Sequence, residues 1–82
     1  MERAEFLKLC QKISTYPAIG GMAKNIPDNM FVEYAGNVFY PQGYKLTFKN
    51  SKPQHIAILH SLKANSVIEC QLEKVKLWKK EN

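Results

Sequence analysis

The sequence predicts an α+β fold in which an N-terminal helix is followed by about five antiparallel strands. Three observations lead to this class. Apolar residues recur at helical spacing in residues 1–15, prolines and glycines are concentrated in residues 16–30, and apolar and polar residues alternate from residue 31 onward. We expect the strands to form a strongly curled sheet that closes as a small SH3-like barrel, with an open sheet covered by the helix as the alternative.

The chain has 82 residues, which is enough for one domain only. Its composition of 45% hydrophobic and 23% charged residues is typical of a globular chain and argues against global disorder. So short a chain cannot bury both a core and a deep catalytic pocket, which excludes a large enzyme. We expect a single domain over residues 1–82, made of a helix (1–15), a loop (16–30), an antiparallel β meander (31–78) and a frayed tail (79–82).

In the first segment, the apolar residues share one side of a helix, while glutamates precede lysines along it as the helix dipole favours. This apolar side consists of Phe6, Leu9, Cys10 and Ile13. Pro17 predicts the end of the helix, because a residue that precedes proline avoids the α conformation. The following loop has room for one short helical turn.

Turn signals divide the β region into hairpins. Residues 31–35 and 38–40 flank Gly36-Asn37, and a glycine in the first position of a two-residue loop favours a type II′ turn. This turn predicts that Tyr34 lies opposite Phe39. Residues 67–72 form a further strand, and residues 75–78 contribute a last apolar cluster.

The hydrophobic pattern predicts how residues 44–49 pair with residues 55–62. A loop at residues 50–54 joins the two strands, and we expect Leu46 opposite Ile58 and Phe48 opposite Ile56, because this register places the large apolar side chains on one face. His60 and Leu62 then point inward as well. The rival interpretation is a helix over residues 54–64, since apolar residues there also fit helical spacing.

The net charge of +5 is concentrated in the middle of the chain, where residues 31–66 contribute +3. The predicted register places the lysines on the outer face of the sheet. We call the candidate partner surface the basic strip, which consists of Lys45, Thr47, Lys49 and Leu59, with Lys52 and Lys63 near its ends. Such a surface suits a protein partner, self-association or a nucleic-acid backbone, although a lysine face that only confers solubility explains it as well.

Chemistry-bearing residues do not form a recognisable site in the sequence. Cys10, His55, His60 and Cys70 lack the close paired spacing of a zinc site, so we expect no metal and no cofactor. His60 has no nearby carboxylate to orient it as a base for Cys70 or Ser61. The sequence therefore predicts a protein that is not an enzyme.

The compartment follows from what the sequence lacks. No apolar run approaches the roughly 20 residues that cross a bilayer, and the N-terminal residues are unlike a secretory signal. Two cysteines are too few for the disulfide framework of a small secreted domain. We expect a cytoplasmic protein that contacts no membrane, in which both thiols pack as small apolar groups.

Three segments, 43–48, 55–67 and 72–75, are similar to small hypothetical proteins of Firmicutes genomes and their mobile elements. The resemblance covers about the second half of the chain. It implies a cytoplasmic bacterial protein encoded on a phage or plasmid, and it implies no catalytic residue. The chain departs from the pattern at Ser61, where the resemblance implies an aspartate.

These observations together predict a small non-catalytic binding module for protein–protein interaction or assembly. Nucleic-acid binding through the basic outer face is the first alternative. A small enzyme that depends on cysteine or histidine is the second.

Overall fold

The computed structural model describes residues 1–14, 18–19, 22–23, 27–61, 63–64 and 66–79. Helix α1 (Arg3–Ile13) is followed by the two-residue strands β1 (Ala18–Ile19) and β2 (Met22–Ala23), which pair with each other. The remaining strands form one antiparallel sheet, namely β3 (Val32–Tyr34), β4 (Asn37–Lys49), β5 (Lys52–Ser61), β6 (Val67–Gln71) and β7 (Lys76–Leu77). Short 3₁₀ turns occupy Asp28–Met30 and Leu72–Lys74.

The predicted helix is confirmed and buries the expected side. Phe6, Leu9 and Ile13 are buried, and Ser14 caps the C-terminus by donating its backbone N–H to the carbonyl of Cys10. Glu5 lies in the first turn and Lys12 in the last, as the helix dipole favours. The helix therefore packs through one apolar stripe, while Pro17 lies outside the described residues.

The sheet has the strand order β6-β5-β4-β3-β7. The α+β class with a helix followed by five antiparallel strands is confirmed. In the described part of the chain β6 and β7 are the two edges and do not pair with each other, so the sheet is open and the expected barrel closure does not form. Strands β3 and β7 have only three and two residues, which is too little paired length to carry the curl around to β6.

The first hairpin turns one residue earlier than predicted. Its loop is Ala35-Gly36, with φ of 51° and 79°, and positive φ at both positions is typical of a type I′ turn rather than the expected type II′. Tyr34 consequently pairs with Asn37 and not with Phe39. The ring of Tyr34 still contacts that of Phe39, with centroids 6.5 Å apart, because the shift of the loop leaves both side chains on the same face.

Residues 38–40 and 44–49 belong to one continuous strand, β4, instead of two. A bulge between Pro41 and Gly43 interrupts the pairing with β5, and a bulge adds one unpaired residue and bends the strand. On β5, the strand prediction is confirmed and the rival helix over residues 54–64 is excluded.

The predicted register between β4 and β5 is wrong. Leu46 pairs with His55 and Phe48 pairs with Pro53, whereas Leu46 was expected opposite Ile58. The cause is the turn. Asn50 and Ser51 adopt φ of 53° and 62° and form a tight two-residue loop, which draws Lys52 and Pro53 into the strand instead of leaving them in a five-residue connection.

The new register reverses the faces of β5. Ala57 and Leu59, expected among the lysines, are completely buried, while Ile56 and Ile58 are only half-buried on the other face. The main core joins helix residues to this inner face of the sheet and to the segment after β6. It contains Phe6, Leu9, Val32, Phe39, Ala57, Leu59, Cys70, Leu72 and Val75.

A smaller cluster packs beside the main core at the C-terminal end of the helix. Ile13 and Tyr40 are buried there, with Met30 and Phe31 partly buried against them. Phe31 also contacts Trp78, with ring centroids 6.0 Å apart. The loop before β3 and the segment after β7 are thereby attached to the body of the domain.

Candidate functional site: the hairpin arm

The β4–β5 hairpin extends beyond the rest of the sheet. Strand β6 pairs with β5 only from Ile56 to His60, and β3 pairs with β4 only from Asn37 to Phe39. Residues 46–55 are therefore paired only with each other in the described part of the chain. We call residues 46–55 the hairpin arm.

One face of the hairpin arm is apolar and exposed. Phe48 is 69% exposed and Leu46 is 45% exposed, and Pro53 and His55 are exposed on the same face because they are their pairing partners. This face continues the inner face of the sheet, but helix α1 does not cover it. Leu46 and Phe48, which the sequence assigned to the core, are therefore exposed, and Phe48 is the most exposed of the large apolar side chains that the structure describes.

The opposite face of the hairpin arm carries most of the predicted basic strip. Thr47 and Lys49 share this face by alternation with Lys45, which immediately precedes the arm, and Lys52 joins it as the pairing partner of Lys49. All three lysines are exposed and Thr47 is half-buried. This part of the strip is brought together as expected.

Two members of the basic strip lie elsewhere. Leu59 is 0% exposed in the main core, so its expected place on the outer surface is wrong, for the reason of register given above. Lys63 is exposed in the turn after β5, at the opposite end of that strand from Lys52. There it lines a separate cavity of about 300 Å³ together with Phe31 and Trp78.

The charges of the strip differ in their surroundings. The Nζ of Lys45 lies 2.7 Å from Oε1 of Glu69 on β6, across the intervening strand. Because both side chains are about half exposed, this ion pair contributes little stability. Lys49 and Lys52, by contrast, are directly opposite each other and form no ion pair with a described residue. The positive field of the arm is thus concentrated at its tip.

Two tyrosine–histidine pairs link β4 to β5. The Tyr40 hydroxyl lies 2.7 Å from Nδ1 of His60, and this pair is buried. The Tyr44 hydroxyl lies 2.5 Å from Nδ1 of His55 at the base of the hairpin arm, and this pair is exposed. Both pairs are also stacked, with centroids 4.7 Å and 5.9 Å apart. Each contact holds its two rings together across β4 and β5.

The candidate catalytic residues are not assembled. Ala57 pairs with Cys70 and His60 pairs with Val67, so Cys70 and His60 point to opposite faces of the sheet. Burial raises the pKa of the Cys70 thiol, which favours the unreactive protonated form. The Ser61 hydroxyl accepts hydrogen bonds from the backbone N–H groups of Lys63 and Ala64 and so supports a turn.

Other kinds of site are equally unsupported in the described residues. No three histidine, cysteine or carboxylate side chains gather there in a way that would hold a metal ion. None of the described helices has the length and apolarity needed to cross a membrane. A cavity of about 340 Å³ does lie at the base of the hairpin arm, between the N-terminus of α1, residues 53–55 and residues 71–73.

The sequence contained the signal for the exposed apolar face. Asn50 favours positive φ, and a two-residue turn at Asn50-Ser51 directly gives the observed register. Pro53 argued against this turn, because proline usually indicates the end of a strand. The strand tolerates Pro53 because Lys49 and Lys52 close the tight turn as a hydrogen-bonded pair. The backbone nitrogen of the next residue, Pro53, therefore points away from β4, where no hydrogen bond to β4 is lost. Strand β6 does not reach that position.

Comparison of the chain with family models, with curated proteins and with solved structures finds no match.

Proposed function

We propose that this protein is a small non-catalytic binding module that docks a protein partner through the apolar face of its hairpin arm. The observation that carries this proposal is the exposure of Phe48 and Leu46 on a projecting two-stranded element. Complete burial of a large apolar side chain contributes about 1.5–3 kcal/mol, whereas an exposed ion pair contributes about 0–1 kcal/mol. The apolar face, rather than the basic strip, would therefore supply most of the binding energy.

The separation of the two faces favours a protein over single-stranded nucleic acid. Modules that bind single strands place aromatic rings and cations along the same groove, so that bases stack while phosphates are neutralised. In the hairpin arm, Phe48 lies on one face while Lys49 and Lys52 lie on the other. A protein surface that is apolar where it meets Phe48 and Leu46 matches this arrangement better.

Quantitative capture of partners tests the proposal. Photo-crosslinking in the native host, followed by mass spectrometry, would compare the wild-type protein with L46S/F48S. The matched control is V67S/L77S, which removes two apolar side chains that are 50% and 38% exposed but lie off the arm. We expect the arm variant to lose its specific crosslinks and the control to retain them. Identical crosslink sets in both variants would contradict the proposal.

A second candidate function, binding of a nucleic-acid backbone, is favoured by one observation at the tip. Lys49 and Lys52 lie directly opposite each other across the strands, and neither forms an ion pair with a carboxylate of the described residues. Directly opposed like charges destabilise a hairpin. An anion between them would relieve that cost. Mixed-sequence oligonucleotides should then bind K49Q/K52Q more weakly than the equally charged control K8Q/K74Q, and affinity should fall steeply with salt. Equal binding by the two variants would exclude the tip as the site.

We also propose that the protein acts in the cytoplasm of a bacterium, as its resemblance to small Firmicutes proteins implies. Cys10 and Cys70 are both free thiols, which supports a reducing compartment. Measuring the compartment of the tagged protein by fractionation tests this location, and recovery outside the cytoplasm would contradict it.

A further inference from the structure

Strand β4 presents an open edge along the hairpin arm. Beyond Phe39 it has a ladder partner on the β5 side only, within the part of the chain that the structure describes. Because Lys49 and Lys52 close the turn as a hydrogen-bonded pair, the residues at alternate positions direct their N–H and C=O groups away from β5. These outward groups belong to Tyr44, Leu46 and Phe48, whose side chains lie on the same face of β4.

The opposite edge of the hairpin arm is protected. Pro53 on β5 has no N–H to donate, and a proline on an edge strand is one of the ways in which proteins prevent strand addition. Strand β4 has no proline between Gly43 and Lys49. Strand addition to the arm is therefore directed to β4.

We infer that a second copy of this chain occupies this edge, with the two β4 strands paired antiparallel about a two-fold axis at Leu46. Leu46 then lies opposite Leu46 of the second copy, and Tyr44 lies opposite Phe48. All three outward-pointing residues exchange backbone hydrogen bonds in this arrangement, and the two apolar faces form one continuous cluster. The inference rests on the proposed function and names the partner.

The positions of the lysines disfavour the two neighbouring registers. An axis at Thr47 would place Lys45 opposite Lys49 of the second copy. An axis at Lys45 would place that lysine opposite Lys45 of the second copy. Both arrangements are unfavourable, because like charges directly opposite each other destabilise a strand pair. An axis at Leu46 places Lys45 opposite Thr47 and Lys49 opposite Gly43. It also forms two aromatic pairs between Tyr44 and Phe48, which favour association.

The size of the contact sets the expected affinity. An isologous pairing of two short strand segments is smaller than the roughly 800 Å² per partner of a standard interface. We therefore expect a reversible dimer with a dissociation constant on the order of 10 µM. Sedimentation equilibrium should show association that rises with protein concentration in this range.

Cysteine scanning tests the register. In a background with Cys10 and Cys70 replaced by alanine, single cysteines are introduced at positions 44 to 48 and oxidised mildly. Cα atoms of a directly opposed hydrogen-bonded pair are about 5.5 Å apart, within the range of a disulfide. We expect crosslinked dimer to be most abundant for L46C. A maximum at T47C or K45C would overturn the proposed axis.

A second variant tests pairing through the β4 edge in a chain that keeps Cys10 and Cys70, so the result does not depend on replacing these cysteines. L46P removes one outward N–H, whereas L46T keeps the N–H and removes a similar amount of apolar surface; circular dichroism confirms that both fold. We expect L46P to be monomeric at concentrations where L46T still associates. Association of L46P equal to that of L46T would overturn pairing through the β4 edge.

The two proposals fail in distinguishable ways. A wild-type protein that stays monomeric up to about 1 mM, far above the expected dissociation constant, overturns self-association. If L46S/F48S nevertheless loses crosslinks to a different protein, the binding function stands with another partner. If the wild-type protein is monomeric and no crosslink depends on the arm, both proposals fail.

Discussion

Tyr40 and Tyr44 make the same contact with histidine in different surroundings. A buried hydrogen bond that loses one partner leaves the other group desolvated and unsatisfied, at a cost of about 1–3 kcal/mol, whereas water replaces the lost partner at an exposed site. We therefore expect Tyr40→Phe to lower the free energy of unfolding by about 1–3 kcal/mol and Tyr44→Phe by less than about 0.5 kcal/mol. Urea denaturation measures both, and equal losses would contradict the assigned burial of the two pairs.

Leu59 and Leu46 provide a second matched comparison, because they exchange the environments that the hydrophobic pattern predicts. Truncation of a fully buried leucine to alanine costs about 2–5 kcal/mol, while an exposed one changes stability by about 0.5 kcal/mol or less. Leu59→Ala should therefore destabilise strongly and Leu46→Ala hardly at all. Chemical denaturation that reverses this order would support the predicted register over the observed one.

The Cys10 thiol makes the free energy of unfolding depend on pH in the alkaline range. Burial raises its pKa from an ordinary 9.0 to about 11, against a smaller opposite effect of a backbone hydrogen bond. Above the ordinary value the unfolded chain releases this proton and the folded chain retains it, so the free energy of unfolding falls as pH rises from 9 to 11. Thermal unfolding over this range should show a shallower fall for Cys10→Ala than for the wild type. Parallel curves would contradict the raised pKa.

Turns determine the pairing of the strands. Ser51 occupies a left-handed conformation with φ of 62°, which costs a residue with a side chain about 1–2 kcal/mol relative to the right-handed region. Glycine avoids this cost but loses about 0.5–1 kcal/mol of entropy, so Ser51→Gly should stabilise the protein by about 0.5–1 kcal/mol. Gly36→Ala, at φ of 79°, should destabilise it by a similar amount. A loss of stability on Ser51→Gly, measured by denaturant titration, would argue against the two-residue turn.

Elements with strong local patterns were predicted correctly from the sequence. The helix has an apolar stripe and a proline beyond its end, and alternation identified the strands from Phe31 onward. Pairing was harder, because the hydrophobic pattern alone cannot distinguish a core residue from an apolar residue on an exposed surface. Placing Leu46 and Phe48 in the core was reasonable chemically, but the turn at Asn50-Ser51 prevents it.

At the scale of the whole molecule, the body of the domain and the hairpin arm differ in the burial of their apolar residues. The body buries its apolar residues under the helix and in the cluster around Tyr40. The arm leaves Phe48 and Leu46 exposed. Exposed apolar residues on a strand promote aggregation, and selection normally removes them. In the proposed dimer the side chains of Tyr44 and Phe48 from the two copies contact each other laterally, which reduces this exposure and accounts for its retention.

The basic strip could be predicted only in part, because the position of some of its residues depends on the register between β4 and β5. Lysines at alternate positions identified one face of β4 correctly, since alternation is local. Leu59 was misplaced because its face depends on register, which is a property of two strands and the turn between them. The apolar face of the arm was missed altogether, since every residue on it also suits a core.

The pairing of β4 with β5 can be measured directly by nuclear Overhauser effects between Hα protons, which are strong across non-hydrogen-bonded pairs of an antiparallel sheet because the Cα atoms there are closest. The structure predicts Hα contacts of Leu46 with His55, Phe48 with Pro53 and Tyr44 with Ala57. Contacts of Leu46 with Ile58 and of Phe48 with Ile56 would instead bury the apolar face and remove the basis for the binding surface.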